Sequence, residues 1–128
     1  LSFEIMKSAL KRVLDAGLTP VLAHVERYRI FQRDAGRLDE AVAMGCHAQI
    51  NAESVLGSFT SPGRRLALEL LKRGAVSVVA SDMHNAERRR SRLGEAAEAL
   101  SKRFPEDRVR AWFEETPRKI LETPRAAG

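Results

Sequence analysis

A chain of 128 residues is long enough for one small domain and too short for two. Hydrophobic residues make up 44% and charged residues 30%, which excludes a disordered chain, and no apolar run is long enough to span a bilayer. The net charge of +5 favours anionic partners such as phosphate, nucleic acid or acidic lipid, or simply keeps a small domain soluble.

In chain order, Ser2 to about Ala16 is predicted helical, with Ile5, Ala9, Leu10, Val13 and Leu14 as its apolar stripe and Gly17 as its C-terminal cap. Thr19–Ala23 reads as a short buried strand. Asp34 is placed to N-cap a helix running to Met44, where Gly45 ends it. Ala48–Asn51 is a second, weaker strand. Ser61-Pro62 is a strong helix start, an N-cap followed by proline at N1. Leu66, Ala67, Leu70 and Leu71 give that helix its apolar face, and Gly74 stops it. Val76–Ser81 is the clearest strand, followed by helices at about Arg90–Arg103, Asp107–Glu115 and Pro117–Glu122. Strands alternating with helices predict an α/β fold with parallel strands and right-handed crossovers. A closed (β/α) barrel usually needs roughly 250 residues. This chain reads like about half of one, with an open strand edge and part of an apolar interior exposed. Its start, Leu1-Ser2-Phe3-Glu4, reads like the middle of something longer.

Two runs concentrate chemistry. Ala23-His24-Val25-Glu26-Arg27-Tyr28 follows the first strand, and Ala80-Ser81-Asp82-Met83-His84-Asn85 follows the third. In parallel α/β folds, functional groups gather at the carboxyl ends of strands. Histidine nitrogen and aspartate oxygen suit zinc, manganese or iron. Arg27 has the fork geometry that grips two phosphate oxygens, with a salt bridge to Glu26 as its plain structural alternative. Arg88-Arg89-Arg90 and Arg92 form the densest basic cluster, at a helix start where cations oppose the dipole; a bound anion or Glu87 would offset that cost. Their plain alternative is a solvated face. Taken alone, Asp82-x-His84 is a turn carboxylate beside a surface histidine, and His24 a strand-end histidine bonded to backbone. In combination they suggest a metal site that handles phosphate. The single cysteine, Cys46, excludes an internal disulfide and reads as a small buried residue; it fits a reducing compartment and a cytoplasmic location. His47 has no assigned role, and Trp112 and Phe113 read as core or docking residues.

The pattern resembles the bacterial tyrosine-protein phosphatases of the PHP (polymerase and histidinol phosphatase) superfamily, of the capsular and exopolysaccharide type. The resemblance rests on Gly17–Tyr28, on Gly45 with Gln49-Ile50-Asn51, on Leu56-Gly57 and on Leu70-Leu71-x-x-Gly74. It continues through Val79–Asn85 and Thr116–Leu121, in order along nearly the whole chain. It implies that residues 1–128 are the C-terminal portion of one distorted (β/α) PHP barrel whose N-terminal half is absent. It further implies a cluster of divalent metals, manganese first and iron or zinc as alternatives, and hydrolysis of phosphotyrosine by a metal-bound hydroxide rather than a cysteine. By position, His24, Asp82 and His84 correspond to metal ligands. Arg27 and Arg89 correspond to catalytic, phosphate-binding arginines, and Arg88 substitutes for Arg89 if the loop register differs by one. Two departures stand out. Val25 occupies a position where the family usually has proline, which predicts a looser loop. The family's opening His-x-His pair and a later glutamate, both upstream of the His24 run, are missing; Glu4 is not assigned that role. The implied partners are a phosphotyrosine protein such as a bacterial tyrosine kinase, the missing N-terminal half, and a second copy of the chain. A second reading keeps the superfamily and takes histidinol phosphate or another small phosphomonoester. A third is a noncatalytic basic module that binds an anionic surface or nucleic acid through Arg88–Arg92; the absence of interleaved aromatics counts against nucleic acid.

Overall fold

A computed structural model describes residues 2–57, 61–81 and 86–122, with 86–91 as helical backbone. Helix α1 spans Phe3–Asp15, and Ser2 caps it by accepting a hydrogen bond from the Ile5 amide at 3.2 Å. Strand β1 is Val21–Leu22, followed by a 3-10 turn at Val25–Arg27 and the short helix α2, Arg29–Arg33. Helix α3, Gly36–Ala43, leads to strand β2, His47–Asn51, and then to the single-turn helix α4, Ala52–Val55. Helix α5, Pro62–Arg73, starts on Ser61, whose hydroxyl accepts from the Arg64 amide, and ends on Gly74 at φ 77°. Strand β3, Val78–Ala80, and helices α6, Ala86–Ser101, and α7, Glu106–Arg110, follow. A π-helical stretch at Ala111–Glu115 runs into α8, Thr116–Glu122.

Among the described residues the strands form one parallel sheet in the order β1-β2-β3. The α/β class and the parallel pairing agree with the sequence pattern. Register assigns the two faces of the sheet, because paired residues share a side and neighbours along a strand alternate. Leu22 pairs with Ala48, and Ile50 with Val79. That face enters a core with Phe31, Leu38, Leu66, Leu70 and Leu71. Full burial of side chains such as Ile50 and Leu70 contributes roughly 1.5–3 kcal/mol each. The other face carries Val21, His47, Gln49, Asn51, Val78 and Ala80. The expected exposed apolar interior is thus interrupted by polar residues along the central strand. Trp112 is buried and packs edge-on against Phe104, while Arg108 lies over both rings and donates to the Leu71 carbonyl at 2.6 Å. This contact docks α7 on the end of α5.

Some expectations need correction. The strands are shorter than the apolar runs that predict them: Val21–Leu22 rather than Thr19–Ala23, and Val78–Ala80 rather than Val76–Ser81. The inward row of α1 is Met6 and Leu10, with Phe3 and Leu14 packed at its margin, whereas Ile5 is 60% and Val13 37% exposed. Both rows are apolar at helical spacing, so periodicity does not choose between them. Asp34 does not cap a helix of its own. Its carboxylate accepts from the Gly36 amide at 3.0 Å, and α3 starts at Gly36. The helices α2 and α4 are too short to leave a periodic signal.

Candidate metal and phosphate site

The site is built where the strands end. The Val25–Arg27 turn begins at His24, which sits in the left-handed region at φ 40° and ψ 52°. His24 is the only described non-glycine residue with positive φ. Such backbone costs on the order of 1–2 kcal/mol and persists only where surroundings impose it. Here they do. The His24 amide donates to Gln49 Oε1 at 2.7 Å, and Gln49 Nε2 donates to Asn51 Oδ1 at 2.9 Å. Val25 is fully buried, and the Arg27 amide closes the turn on the His24 carbonyl at 3.0 Å. The His24 ring meets Tyr28 edge-on at 5.7 Å, and Tyr28 stacks on Phe31. His24 Nδ1 is buried and, among the described residues, has no hydrogen-bond partner.

Arg27 is exposed, and among the described residues its guanidinium has no acid partner. The structural alternative for it, a salt bridge to Glu26, is absent. Glu26 is fully buried and turned away, its Oε2 accepting from the Asn51 amide at 3.1 Å. At the far strand, Ser81 Oγ donates to Glu53 Oε1 at 2.5 Å. Register places Asn51 beside Ala80, so β3 ends at the same carboxyl end of the sheet as the His24 turn, with β2 between them.

The run Asp82-Met83-His84-Asn85 lies outside the described residues. Arg88 and Arg89 fall on the first turn of α6 as backbone, and their side chains lie outside the described residues. Arg92 pairs with Glu95 at 3.2 Å and follows the solvated-face reading. Among the described residues, no three histidine, cysteine or acidic side chains are grouped to hold a metal ion. His24 is therefore the one sequence-predicted ligand whose surroundings are seen. Cys46 is buried, and desolvation pushes its thiol above the ordinary range, which fits the inert role read from the sequence. His47 Nδ1 lies 3.2 Å from Ser77 Oγ at the opposite end of β2.

Sequence reasoning named Gln49 and Asn51 only within the family resemblance, took Glu26 only as a salt-bridge alternative for Arg27, and gave Glu53 no role. The available signal was the alternation of β2, which puts Gln49 and Asn51 on one face.

Comparison with known proteins follows the same lines. Tyrosine-protein phosphatase CpsB of Streptococcus pneumoniae is 34% identical over 125 residues, covering 94% of this chain and 51% of the relative. CpsB of Streptococcus agalactiae is 36% identical over the same span. Tyrosine-protein phosphatase YwqE of Bacillus subtilis is 34% identical over 88 residues, covering 69% of this chain and 35% of that protein. The fold matches a crystal structure from work on YwqE and CpsB, described as unique metal-dependent tyrosine phosphatases. The TM-score is 0.79 at 26% identity, over 94% of this chain and 49% of that one. The chain spans about half the length of the curated relatives it matches. Matching the family model for capsular polysaccharide synthesis over residues 1–122, the chain belongs to the CpsB/CapC family.

Proposed function

We propose that this chain is the C-terminal portion of a metal-dependent protein-tyrosine phosphatase acting in capsular or exopolysaccharide synthesis. His24, Asp82 and His84 are the metal ligands it supplies, and Arg27 and Arg89, with Arg88 as the neighbouring alternative, bind phosphate. The observation that carries the reading is His24. A histidine held left-handed at a strand end, with a buried ring nitrogen that no described group satisfies, suits a metal ligand. The likeness to CpsB and YwqE supports the substrate class.

The donor set of one imidazole pair and a carboxylate fits a divalent ion, with manganese first and iron or zinc as alternatives. When bound, that ion supplies the positive charge that polarises the phosphoryl group and activates water. The chain's own residues do the rest. Gln49 fixes the backbone amide of His24 and Tyr28 packs against its ring, so less of the ligand has to be ordered at the moment of binding. Arg27 offers two parallel donors to the phosphate oxygens and neutralises the charge that grows on them. The remaining metal shell comes from the N-terminal half of the barrel. The partner is a phosphotyrosine protein such as a bacterial tyrosine kinase, and the setting is the cytoplasm. No described helix is long and apolar enough to cross a membrane.

The test is phosphotyrosine hydrolysis with added manganese, by the 128-residue chain alone and after the upstream half is supplied. The chain alone should bind manganese weakly and turn over little or nothing, and the two halves together should be active. Robust turnover by the chain alone would refute the incomplete-site reading. Inactivity of the joined halves toward phosphotyrosine would refute the substrate class.

A further inference from the structure

We propose that Glu26 is a positioning residue, whose buried carboxylate clamps the His24–Arg27 turn to the end of β2. The value of the clamp for metal and phosphate rests on the function proposed above; its existence rests on geometry alone.

Glutamate is almost never fully buried without a partner, because removing a carboxylate from water is costly. Glu26 is fully buried nonetheless. Among the described residues its carboxylate accepts one hydrogen bond, from the backbone amide of Asn51, 25 residues along the chain, and Oε1 has no partner. A residue kept for core stability would be apolar here, since well-packed hydrophobic side chains do as well as or better than buried charge. The retained carboxylate therefore points to placement rather than to burial energy.

What it places follows from its neighbours. His24 lies two residues before it and Arg27 one after. The backbone carbonyl of Glu26 itself accepts from Gln32 Nε2 at 2.9 Å, so α2 holds the same residue from the other side. The strand amide is a rigid anchor, because β2 is the central strand and pairs on both edges. Gln49 holds the His24 amide, and Asn51 holds the Glu26 carboxylate. Gln49 by its side chain and Asn51 by its backbone amide thus grip the turn at its start and at its middle. Removing the carboxylate frees the turn two residues after His24, whose left-handed backbone can then relax.

The test compares Glu26→Ala with Glu26→Gln, whose amide oxygen can still accept from the Asn51 amide. Two readouts are used on the chain itself: amide hydrogen exchange, and broadening of the His24 ring signals by Mn2+. In Glu26→Ala, protection of the Asn51 and Arg27 amides should fall at least about tenfold more than that of the Leu70 and Leu71 amides in α5. The Mn2+ concentration that half-broadens the His24 signal should rise about tenfold or more, the usual scale for loss of a ligand's support. Glu26→Gln should restore both to within about twofold of the parent. Uniform loss of protection across the molecule, or Glu26→Gln behaving like Glu26→Ala, would overturn the proposal. If Mn2+ broadens His24 in none of the proteins, the metal reading of His24 fails and exchange alone decides the clamp. If Glu26→Ala does not fold, Glu26→Asp, one methylene too short for the same reach, takes its place with the same expected outcomes.

Discussion

The amide of His24 points at the side chain of Gln49, 2.7 Å away and 25 residues distant in sequence. A candidate ligand on one strand is thereby set by a polar side chain on the next. The left-handed backbone of His24 is the cost of that arrangement.

Replacing His24 by glycine should separate that cost from its use. Glycine adopts positive φ freely, so His24→Gly should stabilise the fold by about 1 kcal/mol. Its manganese binding should be lost. Thermal melting and manganese titration check the two halves of the statement, and a lower melting temperature would show that His24 is not strained.

Arg27 is exposed and makes no ion pair among the described residues, so the fold does not depend on its charge. In the enzyme completed by its upstream half, Arg27→Ala should cut turnover on phosphotyrosine by about 100-fold or more with the melting temperature nearly unchanged. Arg27→Lys should recover only part of the loss, since a point charge does not reproduce a two-point contact. Arg89→Ala should behave as Arg27→Ala does. Full activity in both alanine variants would reduce these arginines to solvated surface.

Cys46 should be a bystander. Its buried thiol resists ionisation, so alkylating reagents should modify it slowly in the folded chain and quickly in denaturant. The sign for stability follows from the same shift. Because the folded state raises the thiol above its ordinary value of 9.0, its contribution is whole below that pH and is lost as pH rises beyond it. Cys46→Ala should leave hydrolysis by the joined halves unchanged; a large loss would point to a cysteine mechanism.

Ile50 tests the core beneath the site. It is fully buried in the central strand, so Ile50→Ala should cost about 2–5 kcal/mol in a denaturant titration. A cost under about 1 kcal/mol would mean that the helices can close over the gap.

The alternation of strand and helix was legible because α1 and α5 carry their own punctuation. Ser61-Pro62 and Gly74 bound α5, and Gly17 at φ 82° follows α1 as a terminating glycine. Strand lengths were not legible, since Thr19 and Val76 extend the predicted runs beyond the paired residues, and Pro20 lends only its carbonyl, which accepts from the His47 amide at 2.9 Å. His24 and Arg27 stood out by residue type at a strand end. Glu26 did not, because a glutamate beside an arginine reads as its salt-bridge partner. Only the approach of β2, set by long-range pairing, shows that the carboxylate turns inward to Asn51.

The open side of β1 has a practical consequence. Val21 is 46% and Leu18 52% exposed, next to a strand whose outer backbone groups are unpaired by any described strand. A surface that combines free backbone donors and acceptors with bare aliphatic side chains is adhesive. The yield of soluble material, and its sedimentation behaviour, should therefore depend on concentration, and supplying a polypeptide that occupies this flank should abolish that dependence. Polar replacement at Val21 should have the same solubilising effect while weakening any such reconstitution.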